Sequence, residues 1–182
     1  MSKQNLTLIF AAAFLTVFGE STLSGLRGWL GAQVDLLPAL MVYTALYASI
    51  TTVGLLAVFG GLFFDSLSAN PLGISILPLF LVGFIIYLQR DLILRDLSFA
   101  QIILGAAASA LVPLLKVLLL LTAGTPLLLG WGSLWQWIVL TVGGAVATPI
   151  IFALFQWFDH AFGYQLRSES SFRPDREIRR KR

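Results

Sequence analysis

Four charged residues stand inside or directly beside long apolar stretches, and they are the first place to look for chemistry. They are Glu20, Asp35, Asp65 and Lys116. Charged side chains at membrane depth are costly, so a chain that keeps them uses them for binding, for transport or for holding helices together. Each of the four is therefore either part of a functional site or a structural group that stabilises the packing.

Asp65 lies in a polar hinge, defined here as Gly60–Gly73, which separates two apolar runs. Asn70 and Pro71 predict a helix start there, because Asn is a favoured N-cap and Pro fits the first helical turn. Asp65 itself ends the preceding run, where the helix dipole disfavours a carboxylate. We expect a positive group to offset this cost and give the hinge a structural rather than a binding role. The expected partners are Arg27, Lys116 and the free N–H groups of the helix that starts near Pro71.

The other three charged residues have simpler structural explanations. Glu20 falls near the end of the first apolar run, so we expect it to be solvated. Asp35 precedes a predicted helix, where a carboxylate caps free N–H groups and is favoured by the dipole. Lys116 lies near one end of its apolar run, and its long stem can reach the headgroups. Pairing of Lys116 with Asp65 or Glu20 is the alternative.

Residue types needed for catalysis or metal binding are scarce in this chain. There is no cysteine, and His160 is the single histidine, which excludes thiolate chemistry and a His-rich metal cluster. The pair Gly60-Gly61 lacks the following Lys and hydroxyl of a phosphate-binding loop. No Ser, His and Asp set has a plausible geometry. We therefore expect no enzyme, no cofactor and no metal, and no nucleic acid as a partner.

The composition is that of an integral membrane protein. Of the 182 residues, 58% are hydrophobic and 12% are charged, whereas about a quarter of a soluble domain is charged. No stretch is long and polar enough to fold as a separate soluble domain. We expect one transmembrane helical domain over residues 1–160 and a basic cytoplasmic tail over residues 161–182.

The apolar runs predict an all-α, polytopic membrane protein with about six transmembrane helices in one bundle. The run Leu36–Phe64 is too long for one ordinary span and short for two, so one long tilted helix or two short helices both fit it. Polar residues around Ser49 favour a turn in its middle. The other runs are Leu6–Phe18, Ile74–Leu88, Ala100–Thr122 and Trp137–Phe158, and Ala123–Gln136 is predicted as a loop.

The distribution of Lys and Arg predicts the orientation. Seven of the 12 cations follow Asp159, so the C-terminus is expected in the cytoplasm. A six-helix count then places the N-terminus in the cytoplasm as well, whereas a five-helix count places it outside, and both leave ten cations inside. The tail also offers contacts to anionic lipid or a partner, although orientation alone explains it. The tail cations expected to make such contacts are Arg176, Arg179, Arg180, Lys181 and Arg182.

Two further patterns concern the ends and the faces of the helices. Four tryptophans are expected at the outer interface, where amphipathic rings are enriched. Small residues four apart permit close helix contact, and packing within the monomer is preferred to a dimer interface. The tryptophans are Trp29, Trp131, Trp135 and Trp137, and the small pairs are Ala57 with Gly61, Gly105 with Ser109, and Gly143 with Ala147.

The hinge resembles that of the rod shape-determining protein MreD family, whose pattern is Gly-Leu-x-x-Asp-x-x-Ser-x-x-Pro-Leu-Gly. Here the corresponding residues run from Gly61 to Gly73 and match it throughout. One departure is Val34-Asp35-Leu36, where the family often has Pro-Asp-Leu at the start of its second helix. The candidates for the structural hinge and for partner contacts are Gly61, Asp65, Ser68, Asn70, Pro71 and Gly73; all but Asn70, the expected cap, are fixed positions of the family pattern.

This resemblance implies a non-catalytic protein of the bacterial inner membrane with six helices and both ends in the cytoplasm. It implies a scaffold role in the machinery that elongates the cell wall of rod-shaped bacteria. The implied partners are MreC above all, then MreB, RodA and a penicillin-binding transpeptidase, besides membrane lipids. The alternative is the substrate-binding subunit of an energy-coupling-factor vitamin transporter. Because the middles of the spans are almost wholly apolar, the scaffold is favoured over a vitamin pocket.

Overall fold

Regular structure in the described part of the chain is entirely α-helical. The computed structural model describes residues 3–22, 31–32, 35–68, 71–93, 97–124 and 130–163. Six helices lie in these ranges: α1 (Lys3–Thr22), α2 (Leu37–Tyr47), α3 (Ile50–Leu67), α4 (Ile76–Gln89), α5 (Ser98–Thr122) and α6 (Trp131–Gly163).

Three of these helices are long and apolar enough to cross a membrane, judged within the described ranges: Ile50–Leu67, Ser98–Thr122 and Trp131–Phe158. The other three have shorter apolar segments of 10–17 residues. α2, with 11 residues, is about 17 Å long at 1.5 Å per residue, whereas a hydrocarbon core is about 30 Å thick. Every predicted apolar run thus contains helix, and three helices have the length of an ordinary span.

The long run Leu36–Phe64 forms two helices rather than one, because the chain leaves helical geometry at Ala48 and Ser49. Ser49 has an extended backbone and its Oγ accepts from Thr52 N at 3.4 Å, which caps α3. The two hydroxyl oxygens, Ser49 Oγ and Thr52 Oγ1, also lie 3.0 Å apart. The polar residues in this run therefore terminate one helix and begin the next.

α2 is the central helix of the bundle. All its residues from Leu37 to Leu46 are buried, and it contacts α1, α3, α4 and α5. A helix that is apolar on every side suits such a position, since no face of it meets a polar environment.

The close contact between α5 and α6 depends on small residues. A Cβ added to Gly105 would lie 2.5 Å from Gly144 O and 2.7 Å from Thr148 Cβ, and one added to Gly144 would collide with the side chain of Ser109. The predicted small pair on α5, Gly105 and Ser109, makes this contact, and its partners on α6 are Gly144 and Thr148.

α6 begins earlier than predicted, because part of the expected loop is helical. Gly130 O accepts from Ser133 N at 2.9 Å and from Leu134 N at 3.3 Å, which starts the helix at Trp131. Trp131 is 88% exposed, and Trp135 and Trp137 are exposed as well. The end of the predicted loop Ala123–Gln136, which contains Trp131 and Trp135, instead forms the exposed first turns of α6. Trp29 lies outside the described residues.

The chain divides into two compact units, Met1–Ile151 and Phe152–Arg182. The first contains α1 to α5 and the larger part of α6. The described part of the second is the end of α6, in which the rings of Trp157 and Phe158 pack edge to face at 5.2 Å. α6 ends at Gly163, three residues beyond the boundary predicted for the transmembrane domain.

Candidate functional site

Asp65 connects the end of α3 to the start of α4. It lies in the last turn of α3 and is 1% exposed. Its Oδ2 accepts from Ser75 N at 3.0 Å, and its Oδ1 accepts a short hydrogen bond from Ser75 Oγ. Both carboxylate oxygens are thus bound by one residue at the beginning of the next helix.

The chain leaves α3 through Ser68. Its backbone is extended, and its N–H donates to Asp65 O at 3.2 Å. Ser68 Oγ donates to the same carbonyl at 3.3 Å. Since the last carbonyls of a helix lack partners within it, Ser68 satisfies one of them twice and ends the helix just after the carboxylate.

α4 starts at Ile76, and the predicted start at Asn70-Pro71 is wrong for the described residues. Two successive turns intervene: Ile74 N donates to Pro71 O at 3.3 Å, and Ile76 N donates to Gly73 O at 3.2 Å. Gly73 has a φ of +90°, which is incompatible with a continuing helix and is readily adopted by glycine. Asn70 lies outside the described residues.

Asp65 supplies the acceptor that the start of α4 needs. Ser75 occupies the N-cap position, but its own side chain makes no capping bond to the helix. Its hydroxyl donates to Asp65 instead. The carboxylate at the C-terminus of α3 is therefore placed against the N-terminus of α4, where a negative charge is favoured. Of the two expected offsets that lie in the described residues, Lys116 pairs with Asp35, and an N–H group at the start of the following helix binds Asp65.

Gly61 lets the two sides of the hinge approach each other. A Cβ at this position would lie 3.0 Å from both the backbone N and Cγ1 of Ile76, and 3.1 Å from its Cα. The absence of a side chain brings α3 within contact of the first turn of α4. This contact keeps Ser75 within reach of the carboxylate one turn further along α3.

Lys116 pairs with Asp35, a pair that the sequence reasoning did not propose. Lys116 Nζ lies 3.7 Å from Asp35 Oδ2, and the two side chains are 13% and 9% exposed. The ammonium also lies 4.1 Å from the centre of the Phe64 ring, a cation–π contact. The ammonium is thus turned towards the bundle, whereas snorkelling to the headgroups or pairing with Asp65 or Glu20 was expected.

Asp35 makes the capping contact predicted for it in addition to the ion pair. Its Oδ1 accepts from Leu37 N at 3.0 Å, at the first residue of α2. The two charges lie far apart in the chain, and the sequence signal for their pairing was that both adjoin apolar runs and have opposite signs. The pair forms because α2 and α5 are neighbours in the bundle.

Several predicted site residues lie outside the described part of the chain. The side chain of Glu20 lies outside the described part, as does Arg27 as a whole. The tail cations Arg176, Arg179, Arg180, Lys181 and Arg182 also lie outside it.

Two of the buried polar groups in the described residues are bonded within their own helix. Thr44 Oγ1 donates to Leu40 O at 2.9 Å, and Thr148 Oγ1 donates to Gly144 O at 2.8 Å. Ser109 Oγ has no hydrogen-bond partner among the described residues. Within the same ranges, no group of three or more His, Cys, Asp or Glu is placed to hold a metal ion.

Two of the grooves at the surface of the first unit are lined by described residues. The larger, about 950 Å³, lies between α5 and the start of α6 and is lined by residues such as Pro113, Val117 and Trp137. The smaller, about 390 Å³, lies between α1 and α3 and is lined by residues such as Phe10, Phe14 and Phe59. Apolar side chains dominate both groups of lining residues.

Comparison with known proteins adds no relative. No protein-family model, no curated protein and no solved structure matches the chain.

Proposed function

We propose that this chain is a non-catalytic scaffold subunit of the machinery that elongates the bacterial cell wall, of the kind formed by the MreD family. In this proposal it lies in the inner membrane as a six-helix protein with both termini in the cytoplasm. It binds MreC, and through the assembled complex it works with MreB, RodA and a penicillin-binding transpeptidase.

The hinge is the observation on which this proposal rests. The residues that match the family pattern do separate structural tasks: Gly61 permits close approach to Ile76, Asp65 binds both donors of Ser75, and Gly73 adopts a φ of +90°. A pattern whose members cooperate in one geometry is a stronger link to a family than apolar runs, which any membrane protein has.

The use of the polar groups supports a scaffold over a vitamin-binding subunit. A ligand pocket needs several polar groups that converge on an open space. Here Thr44, Thr148 and Asp65 bond to the chain itself, and the two grooves described above are lined mainly by apolar side chains. Such surfaces suit contact with lipid or with transmembrane helices.

Affinity purification of the tagged full chain from native membranes tests the proposal. Co-purification of MreC is expected, and an unrelated polytopic membrane protein with the same tag is the control. Purification of the chain with a bound vitamin or a paired ATPase, and without MreC, would contradict the scaffold and support the transporter subunit.

A further inference from the structure

α5 consists of two halves that differ in packing, with Pro113 between them. The first half contains the buried residues of this helix, which are Gln101, Gly105, Ala108, Ser109 and Val112. In the second half, Leu114–Thr122, all of it described, no residue is buried to the same degree. The fully buried residues of α5 therefore all precede the proline.

The helix is weakened at Pro113 and anchored immediately before it. A proline has no N–H to donate to the carbonyl four residues earlier, and its ring crowds the preceding turn. In that turn, Ala110 O accepts from Trp137 Nε1 at 3.0 Å, which fixes this point of α5 to α6. A bend at Pro113 would thus move the second half and leave the first half in place.

Lys116 holds the second half against the centre of the bundle. It lies one turn beyond Pro113, and its ammonium contacts Asp35 at 3.7 Å and the Phe64 ring at 4.1 Å. Through these contacts the second half is linked to the start of α2 and to the last turn of α3.

Space for movement lies on the other side of this segment. The groove of about 950 Å³ is lined by Leu114 and Val117 from the second half of α5, and by Trp131, Trp137 and Leu140 from α6. Side chains of the second half thus border an open volume on one side and make a charged contact on the other.

We propose that Leu114–Thr122 is a movable segment that bends at Pro113 and is held in its inward position by Lys116 with Asp35 and Phe64. Opening of the ion pair lets the segment move towards α6 and into the groove. This device goes beyond the scaffold function and does not depend on it.

Distance measurement between two spin labels on the full chain tests the proposal. The chain has no cysteine, so labels attach only where a cysteine is introduced. Leu118→Cys reports on the movable segment, Ile103→Cys reports on the first half of α5, and Leu67→Cys at the end of α3 is the common reference. All three positions are exposed. Each of the two distances to position 67 is measured in lipid nanodiscs.

The decisive variant combines Asp35→Asn with Lys116→Gln, because it removes both charges and leaves no buried charge unpaired. We expect the distribution of distances between positions 67 and 118 to broaden and its mean to shift. The distribution between positions 67 and 103 is expected to stay as in the parent chain. Lys116→Arg retains the charge and the ring contact, so it is expected to retain the narrow distribution. Adding Pro113→Ala to the double variant is expected to narrow the distribution from position 118 again.

Three results would overturn the proposal. One is an unchanged distance from position 118 in the double variant, since the ion pair would then not hold the segment. Another is equal broadening of the two distance distributions, from position 67 to 103 and from position 67 to 118, because the whole bundle would then have loosened. The third is a broad distribution that Pro113→Ala does not narrow, because the bend would then lie elsewhere.

Discussion

At the residue scale, the stability of the hinge depends on Asp65 having donors for both of its oxygens. A buried polar group without a partner costs about 1–3 kcal/mol, and a charged one costs more. Ser75 supplies an N–H to one oxygen and a hydroxyl to the other. Replacement of Asp65 by an apolar side chain therefore also removes the acceptor for the Ser75 N–H at the start of α4.

Asp65→Asn and Asp65→Leu are expected to differ in their effect on stability. Asn keeps an acceptor for Ser75 N, and its amide can donate to Ser75 Oγ, so a loss of about 1 kcal/mol is expected. Leu orphans a buried N–H in an apolar environment and should cost about 1–3 kcal/mol or more. The measurement is the thermal unfolding of the purified full chain in detergent, followed by circular dichroism.

Ser66→Ala is the matched control for these variants. Ser66 is exposed in the same helical turn, and its hydroxyl donates to Phe63 O within α3. Its loss should leave the unfolding temperature close to that of the parent chain. A Leu variant as stable as Ser66→Ala would contradict the structural role of the Asp65 carboxylate.

The sequence predicts which residues form the hinge better than it predicts their contacts. Asp65 was expected to need an offsetting group, and the N–H groups of the next helix were among the candidates. Ser75 was not named, because the predicted helix start at Pro71 placed it inside α4. Lys116 was assigned to the headgroups because its neighbour Asp35 comes from a distant part of the chain, and helix neighbours are not encoded in local spacing.

At the element scale, apolar runs predict where helices lie because burial in lipid or in the bundle requires apolar side chains over a whole helix. The ends of the helices depend on single contacts. α3 begins where Ser49 caps Thr52, and α6 begins where Gly130 accepts from Ser133. The spacing of apolar and polar residues also does not reveal α2 as a helix, because a helix that is buried on every side has no polar face.

Gly144→Ala is expected to destabilise the contact between α5 and α6. The added Cβ would collide with the side chain of Ser109 and lie 3.0 Å from Gly105 O. Overpacking of this kind costs about 1–3 kcal/mol. Gly132→Ala in the same helix is the control, because no atom lies within 4 Å of its added Cβ. Thermal unfolding of both variants in detergent measures the difference.

Ser109→Gly should restore part of the stability lost in Gly144→Ala, because it removes the side chain with which the new methyl collides. The double variant could instead lose as much stability as the two single variants together. That result would contradict direct contact between positions 109 and 144, because the effects of contacting residues are coupled.

At the scale of the whole molecule, a long-range hydrogen bond shows which helix ends lie at the same end of the bundle. Arg90 Nη1, just after α4, donates to Ala48 O between α2 and α3 at 3.2 Å. The turn between α2 and α3 therefore lies at the same end of the bundle as the end of α4. α3 has 18 residues and extends about 27 Å away from that turn, so the hinge residue Leu72 lies at the opposite end.

The accessibility of single cysteines across the membrane tests this arrangement. Thr51→Cys and Asp91→Cys should react with an impermeant maleimide from one face, and Leu72→Cys should react from the other, because all three positions are exposed. The absence of native cysteine removes background labelling.

The tail cations further predict that the face of Thr51 and Asp91 is cytoplasmic, so a reporter active only in the periplasm should be silent when fused after Arg182. Labelling of Thr51→Cys and Asp91→Cys from opposite faces would contradict the contact between Arg90 and Ala48. If all three cysteines were labelled from the face opposite to the expected one and the reporter were active, only the orientation inferred from charge would be contradicted.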